Sequence, residues 1–379
     1  MFEWLLRVFG KGSAPKRAVQ RAPAVKGAAK TLADLHAEAS GGAAEASAHG
    51  AQAKTVPAPQ REKPAGAPAR TADEPYQDVL ARELGELAVL TSAEQQRTSE
   101  LVEGVSHYVG THKIDPPVMP ALAARMLELL REDEVDVVAL SRLIEKDQAT
   151  SAKLMSIANS AMFKGTHEIE SVRDAIVYLG TEQVAHIVIG LATRAMFESP
   201  KHQTKVISGV RWSRLFNHAM TAAFTACHIA SRRSRKHSEA AFVGGLFHDV
   251  GKAVALRALT EVLAEKHQPA PSENVIDAVL QQVHSEPTAA LYESWSLPRN
   301  VMMMCQNHHR IPVDATPELH IVRLVSGLDV LRAGSAVEKR DVLQEIAESA
   351  AALRFTDAEL RVAHTETKEY GERVLRMFG

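Results

Sequence analysis

Between residues 114 and 334, apolar side chains recur at helical spacing in a run of short segments, and almost nothing alternates with the two-residue period of a strand. This pattern predicts an all-α fold, a multi-helix bundle, with helices over residues 121–131, 137–146, 149–159, 171–179 and 182–197. The boundaries have their own chemistry. Proline lacks an amide donor and pushes the preceding residue to extended geometry, so Asp115-Pro116-Pro117-Val118-Met119-Pro120 marks an element boundary. Ser171 with Asp174, and Thr356 with Glu359, resemble capping boxes. Thr181 is placed to cap the helix from Glu182, and Gly180 ends one helix and lets the next turn away.

A chain of 379 residues with 45% hydrophobic content can bury one or two sizeable cores. From Lys11 to Pro75, however, Ala, Pro, Gly, Ser and Lys dominate and few branched or aromatic residues occur, which predicts disorder. The expected organisation is therefore a disordered leader over 1–75 and lead-in helices, paired as a hairpin, over 76–113. An N-terminal helical part follows over 114–205, then a helical core over 206–335 and C-terminal helices over 336–379 packed on that core.

Within the leader, Phe2, Leu5, Leu6 and Phe9 lie on one face of a short amphipathic helix, followed by Lys11, Lys16, Arg17, Arg21, Lys26 and Lys30. Weak contact of residues 1–30 with an anionic membrane surface, or docking on a partner, is the functional expectation, against an inert frayed terminus. A net charge of -2 without a long basic stripe sets nucleic acid aside as a partner. No run approaches the roughly 20 apolar residues that cross a bilayer. Two cysteines, Cys227 and Cys305, cannot form a disulfide framework, so a cytoplasmic location, peripheral to the membrane at most, is expected.

The candidate chemistry centres on His248-Asp249, within Leu246-Phe247-His248-Asp249-Val250-Gly251-Lys252. Alone the pair is weak, since a single histidine on an apolar face is more often a core residue. His218, His284, His308, His309 and Asp329, all in helical segments, supply further ligand types. A hard divalent cation such as Fe, Mn or Mg takes imidazole and carboxylate together, and a carboxylate can bridge two metals about 3.5 to 4 Å apart. Asp249 is the natural bridge of a binuclear site, with His218 and His248 at one metal and His284, His308 and His309 at the other. Asp329 would return a carboxylate from an otherwise apolar helix.

Successive helical residues point about 100° apart, so His308 and His309 are not expected to act as two prongs of one fork. One would be a ligand and the other would face phosphate. Lys252 is expected to lean over the same pocket and meet a phosphate oxygen, with Gly251 permitting a sharp exit from the helix. The plainer reading of Lys252 is a solvated lysine complementing a helix dipole. If the site is catalytic, a metal-activated water would attack, with Asp249 as ligand or proton acceptor and Lys252 beside it. Met302-Met303-Met304 and Cys305 read as core filler, and Arg232, Arg233, Arg235 and Lys236 as a solvated turn.

The order His218, His248-Asp249, His284, His308-His309, Asp329 resembles the HD phosphohydrolase superfamily, and the region ahead of it resembles the HDOD family. The carrying motifs are Pro116-Pro117-Val118-Met119-Pro120, Asp147-Gln148, Asn159-Ser160, the stretch from Ile169 to Gly180, and Trp295-Ser296-Leu297-Pro298. Together they span roughly residues 114–334. Gln148 departs from the family's usual Pro, and Arg310-Ile311-Pro312 follows His309 where an HD-GYP cyclic di-GMP phosphodiesterase would carry Gly-Tyr-Pro. The resemblance implies a signal-transduction module acting through a partner protein, or through a nucleotide or cyclic dinucleotide, with a metal-loaded pocket. A metal-dependent phosphohydrolase or phosphodiesterase, and a structural metal-binding protein without catalysis, are the alternatives.

Overall fold

The computed structural model describes residues 75–85, 87, 89–111, 119–130, 135–163, 168–198, 206–233, 235–285, 287–288, 291, 295 and 297–379. The leader over 1–74, with its amphipathic segment, and Pro116-Pro117-Val118 lie outside the described residues, as do the side chains of Arg235 and Lys236. Among the described residues every regular element is helical, as the periodicity predicts.

The N-terminal part comprises α1 (Tyr76–Leu84), α2 (Ser92–Thr111), α3 (Ala121–Leu129), α4 (Val137–Glu145), α5 (Gln148–Ala158), α6 (Val172–Leu179) and α7 (Thr181–Thr193). Helix α7 tightens into a 3-10 turn over Arg194–Phe197, where the sequence had predicted one continuous helix. Asp136 and Asp147 cap α4 and α5 by accepting from backbone amides two or three residues on. The Ser171 hydroxyl does the same for α6, accepting from Asp174 N. Thr181 does not cap α7. Gly180, at φ 87°, takes the N-cap position and makes no side-chain bond. Asn159 clamps the following loop, since its amide nitrogen donates to Ile169 O and its oxygen accepts from Ile169 N, both at 2.9 Å.

The core is built on α8 (Gly209–Arg233), against which α9 (Arg235–Phe247), α13 (Pro317–Ala333) and α15 (Asp357–Phe378) pack. Ala219, Ala222, Ala223, Ala226 and Ala230 are all buried along α8, and these small side chains let its neighbours approach closely. Helices α10 (Val250–Glu265), α11 (Glu273–Val283), α12 (Arg299–Asn307) and α14 (Val342–Ala352) complete the set. The lead-in helices do not form the expected hairpin. Helix α2 lies across α10 and α11, whereas α1 packs on α13, α14 and α15.

The C-terminal helices pack on the core, and the Thr356–Glu359 capping box is formed in full. Phe378 is buried edge-on against Phe216, and Arg194 donates to its carbonyl. No described helix is long and apolar enough to cross a membrane.

Candidate metal centre

His248 and Asp249 occupy the joint between α9, which ends at Phe247, and α10, which starts at Val250. Glycine lets that joint reach α8. A Cβ on Gly245 would stand 2.7 Å from the backbone of Ala222 and Ala223, so only hydrogen fits. Ala222 lies one helical turn beyond His218, and the contact brings the joint against that imidazole. Gly251 has a related role that differs from the expected helix exit. It sits in the first turn of α10, where a Cβ would collide with His284 O and the Thr288 hydroxyl.

Asp249 is N-cap of α10, yet its side chain makes no capping bond. Both oxygens turn to imidazoles. Oδ2 lies 3.5 Å from Nε2 of His218 and of His248, and Oδ1 lies 3.3 Å from His308 Nε2 and 3.8 Å from His284 Nε2. Donor atoms of His218, His248 and Asp249 fall within 4.8 Å of one another, as do those of Asp249, His284, His308 and His309. His309 therefore reaches the same cluster as His308, contrary to the helical-angle expectation. Helix α12 stops at Asn307 with His308 as its C-cap, still at helical dihedrals, so His309 lies beyond the helix, and the two ring centroids stand 4.1 Å apart.

What stands behind each ring sets which nitrogen faces inward. The Nδ1–H of His248, His284 and His308 donates to the carbonyls of Gly245, Leu280 and Cys305 at 2.8, 2.9 and 2.8 Å. Nδ1 of His218 and His309 meets carboxylates instead, Asp329 and Glu345, each at 2.8 Å. Such partners fix tautomer and orientation and leave Nε2 as the inward atom.

Asp329 stands behind His218 and outside both donor groups. Its Oδ2 is taken by His218, and its Oδ1 accepts from Arg332 Nε at 2.9 Å and Nη2 at 2.6 Å. Glu345 carries no sequence signal, being one of two acids on α14. Ser326, whose hydroxyl lies 3.1 Å from His248 Nε2, carries no sequence signal either.

The residues present suit a cation. Among the described residues, Asp249 Oδ1 and the Nε2 atoms of His284, His308 and His309 are buried without a hydrogen-bond partner. Each such atom costs about 1–3 kcal/mol. Four of them in one donor group are what a divalent ion would satisfy.

Burial depresses His248 well below the ordinary imidazole range, and it pushes His284 down to about 3. Burial acts the same way on His218 but is outweighed there by hydrogen bonds to Asp249 and Asp329, which raise it to about 9. Burial alone would raise Asp249, but the Lys252 ammonium and the surrounding imidazoles hold it well below the usual carboxylate range. Lys252 is not the solvated lysine of the plainer reading. It is 3% exposed and donates to Asp249 Oδ2 at 2.7 Å.

A cavity of about 150 Å³ opens beside His218, Asp249 and Lys252, with Arg211, Arg214 and Arg332 in its wall. Its cations are already matched. Arg211 pairs with Asp277 and Glu273, Arg332 with Asp329, Lys252 with Asp249, and Arg214 with Glu338 at 3.3 Å.

A strandless bundle that gathers five imidazoles around one aspartate at a helix joint defines an α-helical protein of the His/Asp type. The HDOD domain model matches residues 117–311, just over half of the chain, and the chain belongs to the HDOD family. It is 27% identical over 206 residues to an uncharacterized protein of Treponema pallidum (strain Nichols), covering 51% of this chain and 38% of that protein. It is 28% identical over 127 residues to the cyclic di-GMP phosphodiesterase CdgJ of Vibrio cholerae, covering 33% of this chain and 27% of CdgJ. The chain thus spans well under half the length of these curated relatives. The crystal structure of an HDOD domain protein with unknown function from Geobacter sulfurreducens superposes with a TM-score of 0.53 at 20% identity, covering 74% of this chain and 99% of that one.

Proposed function

We propose that this chain is an HDOD regulatory module that acts by engaging a signalling protein through its helical surface, around a pocket that holds divalent metal. The observation that carries this reading is the small, internally neutralised pocket. At about 150 Å³ it is smaller than the roughly 300–1,000 Å³ of small-molecule sites, so a nucleotide does not fit without rearrangement. Each cation that could grip a phosphate would first have to leave a carboxylate partner.

His218, His248 and Asp249 would hold one ion, and Asp249, His284, His308 and His309 a second. A bound ion of the Fe, Mn or Mg class would supply Lewis acidity and a water of lowered pKa. The chain's own part is to present five fixed Nε2 atoms and to divide the two Asp249 oxygens between the two groups.

A second reading, a metal-dependent phosphohydrolase or phosphodiesterase, draws on a specific feature: His218, Asp249 and Lys252 line the cavity, so a reactant could reach the centre. CdgJ, a cyclic di-GMP phosphodiesterase, is in keeping with it.

The test is elemental analysis of the full chain, purified without chelator or affinity-tag metal, beside Asp249→Ala, followed by assays on cyclic dinucleotides and simple phosphodiesters. One or two equivalents of metal in the parent, lost in the variant, without turnover, is the expected outcome. Turnover that disappears with Asp249 would replace the first reading by the second. A folded, metal-free parent would remove the metal from both.

A further inference from the structure

Helix α8 presents a different set of donors on its other side. Cys227 follows His218 by nine residues, about half a revolution round the helix and about 13 Å along it. It faces α7, where Glu182 and His186 share one face at i and i+4. One donor atom from each of these three residues lies within 4.8 Å of the other two. The thiol Sγ is 3.9 Å from Glu182 Oε1.

His186 is the most telling member. It is 3% exposed, its ring lies flat on Phe242 of α9 at 3.8 Å between centroids, and it meets Phe224 edge-on. Its Nε2 is buried and has no hydrogen-bond partner among the described residues. An unpaired ring nitrogen in an apolar layer costs about 1–3 kcal/mol, which a ligand on that nitrogen would recover. The ring is also held neutral, since burial pushes it down to about 3, and its lone pair stays available.

Around Cys227 the potential is negative. Burial, followed by the Glu182 and Glu239 carboxylates, raises the thiol above its ordinary range. A field that resists a bare thiolate favours a cation, and a bound divalent ion reverses the balance by taking the thiolate and releasing its proton to solvent.

We propose that Glu182, His186 and Cys227 bind one divalent cation of the zinc class and so tie α7 to α8, at a site separate from the His/Asp centre. One thiolate, one imidazole and one carboxylate are zinc's own donor types, and three protein ligands leave a fourth position for water or an incoming ligand. The His/Asp centre offers no sulfur, so the two sites select differently, the harder ions there and zinc here. Binding changes only protonation: Cys–SH loses H⁺ as the metal–sulfur bond forms, and neither metal nor protein changes oxidation state.

The experiment is a Co²⁺ titration of the full chain, freed of metal by chelator and dialysed, read in the near ultraviolet for thiolate-to-cobalt charge transfer. Cobalt bound only by histidine and aspartate gives no such band, so the result stands whatever occupies the other centre. The expected outcome is a band whose final amplitude corresponds to one thiolate-bound cobalt per chain and which excess Zn²⁺ bleaches. It should be lost in Cys227→Ser and kept in Cys305→Ser, the only other cysteine.

Glu182→Gln, at a half-exposed position, guards against misfolding of the serine variant. With an unchanged circular dichroism spectrum it should weaken cobalt binding by at least about tenfold, since even an outer partner of a ligand is worth that much to a metal. No band in the parent chain, a band that survives Cys227→Ser, or unaltered affinity in Glu182→Gln would overturn the proposal.

Discussion

Each imidazole of the His/Asp cluster points Nε2 inward because a fixed acceptor stands behind its Nδ1, and the nature of that acceptor sorts the five. Backbone carbonyls behind His248, His284 and His308 cannot be removed by side-chain substitution, whereas the carboxylates behind His218 and His309 can. Asp329→Asn should therefore weaken metal binding by about 10–100-fold, the loss typical of an outer partner, rather than abolish it. Metal titration of parent and variant measures this, and complete loss would mean that Asp329 itself enters the coordination sphere. Asp329 was legible in the sequence as an acid on an apolar helix that wants a partner. Its partner turns out to be an imidazole and an arginine, and ligand type with spacing cannot distinguish that arrangement from direct coordination.

At the scale of the element, the α9–α10 joint reaches His218 only because Gly245 has no side chain. Gly245→Ala forces a methyl against the α8 backbone, where no rotamer can yield, and should cost about 1–3 kcal/mol as an overpacking substitution. Denaturant unfolding would register the loss, and an unchanged midpoint would show that the joint has slack. The helices themselves were largely readable, since apolar spacing and the caps at Ser171 and Thr356 depend on local sequence.

What could not be read depended on where helices stop and what lies across from them. A continuous helix would send His308 and His309 in diverging directions, yet α12 ends at Asn307 with His308 as its cap, and His309 lies beyond it. The sequence predicts a helix exit at Gly251, yet what that glycine accommodates is the carbonyl of His284 on another segment. Glu345 reaches His309 from 36 positions away, and no local pattern encodes such a meeting.

Across the whole molecule, the two ends of the described chain are fastened together. Tyr76 of α1 bonds through its hydroxyl to Nδ1 of His364 on α15 at 2.8 Å, and its amide donates to Asp357. Burial, joined by Lys368, lowers the pKa of His364 despite the nearby Glu83 carboxylate. The unfolded chain therefore takes up a proton near the ordinary value of 6.5 while the folded chain resists it. Stability from this group is present above that value and declines as pH falls below it. Unfolding measured at pH 7 and pH 5 should show the parent losing more stability than His364→Gln, whose amide can still meet Tyr76, and equal losses would refute the assignment.

The same self-sufficiency holds at the centre. With the Lys252 ammonium already on Asp249, the charge of the carboxylate is answered by the chain itself, even though its Oδ1 and three imidazole nitrogens stay unpaired among the described residues. If the centre takes metal, synthesis and metallation would then be separate events in time. An ion held there would replace one cation by another, and its occupancy would report the supply of metal around the protein.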